Sequence, residues 1–298
     1  MDVRPTELVV EGARLYAETV GEGAPCLVLH GGPGTDSSGT RAALGDLAGP
    51  LGLRMVFYDH RGHGRSEWVP VEQCTHDRLV ADVEAVRQAL DLGPIHLLGV
   101  SWGGFLALLY AARYPAALRR LIVVGAAASH AFMSEAEANA RRDATPAQWA
   151  AYRALWDGSL ADDAAFRRAF DVIAPLYYHD KTRAAGGRPA GLTTRYRLAV
   201  RKFVLAHEFP RYDARPELPK IGCPTLVCVG RHDWICPVSQ AEAIAAAVPD
   251  ARLVVFERSG HSPHVEERAR FVEVVGAFLA DAPAPRQATA LDSPRRFP

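Results

Sequence analysis

The stretch Ile95-His96-Leu97-Leu98-Gly99-Val100-Ser101-Trp102-Gly103-Gly104 decides the fold. A short apolar run ends in Gly-x-Ser-x-Gly, and a second apolar run of helical character follows it. This order reads as a strand, a tight turn carrying Ser101, and a helix: a nucleophile elbow, which lifts one serine clear of a sheet edge. The glycines have a steric reason. A serine in such a turn holds a strained backbone, and side chains at Gly99 or Gly103 would strike the neighbouring strand and helix. The helix that begins after Ser101 points its free backbone N–H groups at any negative charge forming beside the serine.

Working outward, the flanking segments repeat the same alternation. Upstream, Cys26-Leu27-Val28-Leu29-His30 is a continuous apolar strand, suited to the buried centre of a sheet. It runs into the nearly side-chain-free loop His30-Gly31-Gly32-Pro33-Gly34. Arg54-Met55-Val56-Phe57-Tyr58 is the next strand, and Asp59-His60-Arg61-Gly62-His63-Gly64-Arg65-Ser66 follows it. Residues 75–90 carry Leu79, Val83, Val86 and Leu90 at amphipathic-helix spacing, and Gly93-Pro94 stops that helix. Downstream, the elbow helix runs to about Arg113, and Leu121-Ile122-Val123-Val124-Gly125 is another strand. Nearer the start, Leu8-Val9-Val10 and Arg14-Leu15-Tyr16-Ala17 flank Glu11-Gly12 as an antiparallel hairpin. Strands alternating with helices predict a mostly parallel sheet with helices on both faces.

Between about Ser129 and Arg215 the strand-like runs vanish. Helical patterns cover 135–142, 146–156, 162–173 and 193–206, and aromatic residues are dense. A helical segment inserted between two halves of a parallel sheet predicts a cap that shapes a pocket. The α/β pattern resumes at Pro224-Thr225-Leu226-Val227-Cys228-Val229, followed by Gly230-Arg231-His232-Asp233 and a helix over 239–247. Arg252-Leu253-Val254-Val255-Phe256 is the last strand, Ser259-Gly260-His261 lies beyond it, and a final helix covers about 267–279. The organisation expected is a core of residues 1–128 and 216–280, a helical cap over 129–215, and an aperiodic Ala-, Pro- and Arg-rich tail over 281–298.

Composition narrows the function. The 298 residues suit one large α/β domain with an insertion. Their formal net charge of zero gives no bulk pull toward nucleic acid or an anionic membrane. The five cysteines, at 26, 74, 223, 228 and 236, are odd in number and match no metal-knuckle spacing, so buried free thiols are expected. With no signal-peptide pattern and no apolar run long enough for a bilayer, a cytoplasmic location is expected.

Ser101, Asp233 and His261 each fall just past a strand's C-terminal end, where ligands bind in open α/β sheets. Serine then aspartate then histidine is the chain order of the α/β-hydrolase fold. A serine hydroxyl is a poor nucleophile near neutral pH, so a base must take its proton; His261 has that place, and Asp233 would hold the imidazole's tautomer. The backbone N–H groups of Gly32 and Trp102 are the expected oxyanion-hole donors, each contributing about 2.7–4 kcal/mol toward the transition state. His30 is expected to brace the glycine loop. The chemistry needs neither cofactor nor metal, and 59–66 reads as a structural turn rather than a metal site.

His30-Gly-Gly-Pro-Gly34, Asp59-x-Arg-Gly-x-Gly-x-Ser66, Gly99-x-Ser-Trp-Gly-Gly104, Gly230-x-x-Asp233 and Ser259-Gly-His261 together resemble the proline iminopeptidase family of α/β-hydrolases over about residues 8–279. The resemblance implies a core with a helical cap and release of N-terminal proline from peptides, with Ser101, Asp233 and His261 as the triad. That family holds the substrate's ammonium group with acidic residues. One directly follows the triad aspartate, where this chain has Trp234; another lies late in the cap, near Lys202. The segment 129–215 carries 14 Lys/Arg against 10 Asp/Glu, a net of +4. These departures favour a neutral or anionic substrate, and an esterase or lactonase, acting for instance on acyl-homoserine lactones, is the alternative to proline release. Glu208 is the alternative acid for an ammonium group. His30, Gly31, Trp234, Tyr177, Tyr178, Lys202 and Glu208 are the expected substrate contacts, and a small molecule or short peptide is the expected partner. A non-catalytic binding protein on the same fold is the remaining reading.

Overall fold

The computed structural model describes residues 3–185 and 193–281. Eight strands form one sheet: β1 (Val3–Val10), β2 (Ala13–Val20), β3 (Ala24–Leu29), β4 (Leu53–Tyr58), β5 (Ile95–Val100), β6 (Leu118–Val124), β7 (Thr225–Gly230) and β8 (Ala251–Phe256). Their order across the sheet is β1-β2-β4-β3-β5-β6-β7-β8. The hairpin β1–β2 pairs antiparallel and joins β4 antiparallel; every other pairing is parallel.

Parallel neighbours need a crossover connection. The sequence pattern shows no helix between β3 and β4, but the structure has one, α1 (Ser38–Leu44), extended by a 3-10 turn. It is only seven residues long, with no side-chain cap, which is why periodicity does not reveal it. The other core helices are α2 (His76–Ala89) and α3 (Trp102–Arg113). Five described α-helices lie between β6 and β7, namely α4 (Phe132–Asp143), α5 (Pro146–Trp156), α6 (Asp163–Ile173), α7 (Thr182–Ala185) and α8 (Leu198–Phe203), and α9 (Val238–Ala247) lies between β7 and β8. The chain then closes with α10 (Pro263–Glu266) and α11 (Arg268–Ala280).

Both faces of the sheet are buried, as alternation within single strands shows. Leu27 and Leu29 of β3, and Leu121 and Val123 of β6, pack with α2 and α3 on one face. Cys26, Val28, Ile122 and Val124 pack on the other face with α1 and α11. All five cysteines are buried and free. No described helix is long and apolar enough to cross a membrane.

The helix expected over 193–206 starts late. Residues before Leu198 are held extended because the Arg195 N–H donates to Asp36 and the Arg197 N–H to the Gly34 carbonyl. From Val204 to Glu208 the backbone continues as a π turn. Tertiary hydrogen bonds thus override local helix propensity. Of the expected tail, residues 282–298 lie outside the described residues, as do residues 186–192 of the expected cap.

β4 lies on one side of β3 and β5 on the other. The strand order therefore reverses between β3 and β5, and a crevice opens beyond their C-terminal ends. The glycine loop leaves β3 and Ser101 leaves β5 at this point.

Candidate active site

Ser101 sits between β5 and α3 with φ 56° and ψ −125°, a left-handed conformation that L-residues avoid. Two hydrogen bonds hold the turn: the Ser101 N–H donates to Val124 O (2.8 Å), and the Gly104 N–H to Ser101 O (2.7 Å). The glycine requirement is explicit at Gly103, where a Cβ would lie 2.3 Å from the Leu29 carbonyl oxygen. The elbow helix can pack on β3 this closely only without side chains there.

His261 Nδ1 lies 2.7 Å from Asp233 Oδ2. The other carboxylate oxygen, Oδ1, accepts the backbone N–H groups of Ile235 (3.0 Å) and Cys236 (2.9 Å). Asp233 is therefore oriented by its own loop, and the acceptor on Nδ1 places the imidazole's free lone pair on Nε2. Nε2 is buried and has no hydrogen-bond partner among the described residues. Ser101 and His261 line the same cavity, of about 660 Å³.

The His261 loop is also tied to the helical segment after β6. Its backbone N–H donates to Tyr177 O (2.8 Å). Glu266 accepts from the Gly260 N–H (2.6 Å) through one oxygen and from the His179 N–H (2.8 Å) through the other. One carboxylate therefore joins the His261 loop to the strap of chain around Tyr177 and His179.

Gly31 and Gly32 both line the cavity. A Cβ on Gly31 would lie 3.5 Å from Ser101 Oγ, so this loop abuts Ser101 directly. The Gly31 carbonyl accepts from His30 Nδ1 (3.0 Å) and Thr35 Oγ1 (3.1 Å). In a trans peptide the following Gly32 N–H points the opposite way, off the His30 and Thr35 side. Trp102 is the first residue of α3, so its N–H belongs to the first-turn donors that have no acceptor within the helix.

The other expected contacts divide. Tyr177 and Tyr178 line the cavity, and the Tyr177 ring meets His261 edge-on at 5.4 Å between centroids. His30 does not line it. It is fully buried and braces the loop, with Nε2 accepting the His60 N–H (3.2 Å).

Trp234 is 3% exposed and stands behind the cavity wall, edge-on to Tyr152 and Tyr177. It does not line the cavity, because Asp233's turn directs it into the core. Glu208 is also displaced from this role: its carboxylate accepts the His76 N–H (2.6 Å) at the start of α2. Lys202 is absent from the cavity lining too. The cavity's buried cation from α8 is its neighbour Arg201, one residue and so about 100° around the helix from Lys202.

Three further groups were missed by sequence reasoning. Asp36 reaches the cavity, with Oδ1 accepting from Ser38 and Oδ2 from the Arg195 N–H. His264 also lines it; burial, helped by His261 and Arg268, pushes its pKa down to about 3. Trp102 is held by a chain of buried histidines, and its indole N–H donates to His76 Nε2 (2.9 Å). His60 and His63 pack within 6 Å of its ring, with centroids at 5.6 and 5.5 Å. Burial lowers the pKa of His63 to about 3 and of His76 to about 4. No local pattern signals these packing neighbours. Cys236 lines the cavity as a neutral thiol, since burial, then Asp233, raises its pKa well above the usual range.

In the turn at 59–66, Asp59 accepts from the Ser37 N–H (2.9 Å) and the Arg65 N–H (2.8 Å). Burial alone would raise its carboxyl, but Arg65, His30 and Ser37 bring the pKa down to about 2. Arg61 and Asp82 form a buried ion pair at 2.6 Å beside it.

A family model described as alpha/beta hydrolase fold matches residues 25–268. A proline iminopeptidase of Pestalotiopsis fici is 31% identical over 280 residues, 91% of this chain and 97% of that protein. A 2-hydroxymuconate semialdehyde hydrolase of a Pseudomonas species is 30% identical over 93% of this chain and 94% of its own length. The crystal structure of a proline iminopeptidase from Mycobacterium smegmatis superposes with a TM-score of 0.72 at 25% identity, covering 93% of this chain and 97% of that one.

Proposed function

Because the chain belongs to the alpha/beta hydrolase family, with proline iminopeptidases among its relatives, we propose that it is a serine hydrolase working through an acyl-enzyme on a carboxylic ester or lactone. One observation carries the mechanism: Ser101 on its strained turn and His261, hydrogen-bonded to Asp233, share one cavity. Ser101 Oγ attacks the carbonyl carbon while His261 Nε2 takes the hydroxyl proton. The N–H groups of Gly32 and Trp102 hold the oxyanion. Collapse of the tetrahedral intermediate breaks the bond to the leaving group, which takes the proton from His261. Water then attacks the acyl-enzyme as His261 Nε2 takes one of its protons, and the bond from the acyl carbon to Ser101 Oγ breaks, with Oγ recovering that proton from His261 and the carboxylic acid leaving.

The cavity supports the ester reading over the peptide one. An N-terminal proline carries an ammonium group, whose burial needs a carboxylate facing it. Of the acidic side chains that line the cavity, Asp36 has both oxygens engaged and Asp46 pairs with Arg268. The wall is otherwise largely aromatic, with Phe105, Phe132, Trp156, Phe170 and Phe209. The second reading, iminopeptidase, rests on the relatives and keeps the same machinery.

A fluorophosphonate probe should label the native protein and leave Ser101→Ala unlabelled. On one preparation, short-chain p-nitrophenyl esters or acyl-homoserine lactones should exceed proline-naphthylamide in kcat/KM by at least about tenfold. The reverse preference would give the protein to the iminopeptidase reading. Absence of labelling in both forms would remove the hydrolase mechanism altogether.

A further inference from the structure

We propose that Arg201 forms a carboxylate-binding subsite, so that the substrate is an acyl compound with an apolar body and a second, free carboxylate. This rests on the reading of the cavity as a serine-hydrolase site and names the class of substrate it takes.

Arg201 comes from α8 and is only 8% exposed, yet it lines the cavity that holds Ser101. It has no ion pair among the described residues. Its Nε donates to the Leu155 carbonyl (3.1 Å), which anchors the stem end of the guanidinium. The two terminal nitrogens have no acceptor among the described residues, and they are the pair whose planar fork matches a carboxylate. The guanidinium carbon lies 5.6 Å from the Trp156 ring centroid and 5.2 Å from that of Phe166, so aromatic faces fix its plane.

The position fits a substrate bridging from the serine. A Cβ added to Gly34 would lie 3.1 Å from the Arg201 Cβ, so the cation rises from directly beside the glycine loop that abuts Ser101. The cavity that Arg201 and Ser101 share is largely apolar, with Phe105, Phe132, Trp156 and Phe170 among its lining residues.

A buried cation without a counterion is costly. Burial brings the Arg201 pKa down to about 10, and among the groups acting on it only Tyr177 and Tyr152 oppose that shift. It still carries its charge at neutral pH, and an anion in the cavity would supply the missing partner. The cavity's own acid, Asp36, does not fill this role, because Ser38 and the Arg195 N–H take its oxygens. Arg268, which also lines the cavity, is engaged by Asp46. The alternative is purely mechanical: Arg201 as a strut holding the aromatic rings of α5 and α6 together.

The test uses two substrates that differ only in the charge, mono-4-nitrophenyl adipate and methyl 4-nitrophenyl adipate. The native protein should favour the free acid in kcat/KM by about tenfold or more. Arg201→Met should lose about 100-fold on the acid and less than about threefold on its methyl-capped twin. Arg201→Lys should recover part of the difference. Equal losses on both twins would establish the strut and overturn the subsite.

A second measurement needs no variant and no turnover. By calorimetry, 3-phenylpropanoate should bind the native protein at least about tenfold more tightly than 3-phenylpropanamide. Equal binding, or none by either, overturns the subsite. Selective binding of the acid with no ester hydrolysis keeps the subsite and instead breaks the ester reading.

Discussion

The strand ends and the helical segment between β6 and β7 build the same cavity by different rules. At the strand ends, each functional position is tied to a backbone feature: Ser101 to a left-handed turn, Asp233 to two N–H groups of its own loop, His261 to the Tyr177 carbonyl. In the helical segment, side chains reach the cavity according to the phase of their helix. Arg201 faces in, whereas adjacent Lys202 does not line the cavity. Local steric necessity leaves a readable motif; helical phase against a distant partner leaves none.

Acid should break the two regions apart with the largest effect. His63, His76 and His264 all pack at or beside the strand-end loops, with pKa values of about 3, 4 and 3 against an ordinary 6.5. Their folded pKa values are depressed, so the unfolded chain binds protons that the native one does not. Stability is full above about pH 6.5 and is lost progressively as pH falls toward about 4 to 3. The slope is about 1.4 kcal/mol per pH unit for each histidine, or roughly 4 kcal/mol per unit for three. Urea midpoints at pH 7, 6 and 5 should fall steeply; a flat series would show that these histidines are not neutral in the fold.

Gly103→Ala tests the strand-end rule itself. With the Leu29 carbonyl 2.3 Å from the new Cβ, the elbow must shift. A displacement near 1 Å at the nucleophile predicts about a 100-fold fall in ester kcat or fluorophosphonate labelling rate. Native rates in this variant would mean that the elbow tolerates movement and that the contrast with the helical segment is overdrawn.

Lys202→Met gives the smallest effect. Since Lys202 does not line the cavity, its kcat/KM on both adipate twins should stay within about twofold of native. A loss confined to the free acid would put the substrate's anion on the Lys202 side of α8 and shift the phase deduced for that helix.

Much of the core was legible. β3, β4, β5, β6 and β7 coincide with apolar runs, because strands buried on both faces need continuous hydrophobicity, and the edge strand β8 was legible from its own run Leu253–Phe256. The short, uncapped α1 was not legible, although the parallel pairing of β3 with β4 demands a connection there. In the site, Ser101, Asp233, His261 and the glycine loop followed from motifs. The positions of Trp234, Glu208 and Lys202 did not. Trp234 is next to Asp233 in sequence, but the turn whose N–H groups bind Asp233 points the indole inward, onto Tyr152 and Tyr177. Glu208 belongs to the start of α2, 132 residues earlier in the chain.

By itself the amino-acid sequence determined the sheet, the elbow and the placing of Ser101, Asp233 and His261 beyond strand ends. These depend on interactions within a few residues: glycine where a Cβ cannot fit, and apolar residues where a strand has no solvent-facing side. Only the tertiary structure decided which charges line the cavity. That outcome depends on which side of α8 meets the cavity, on Asp36 being taken by the chain near Arg195, and on Arg201 entering an aromatic wall without an acid beside it. Each is a contact between segments far apart in sequence, set by packing and invisible to local pattern.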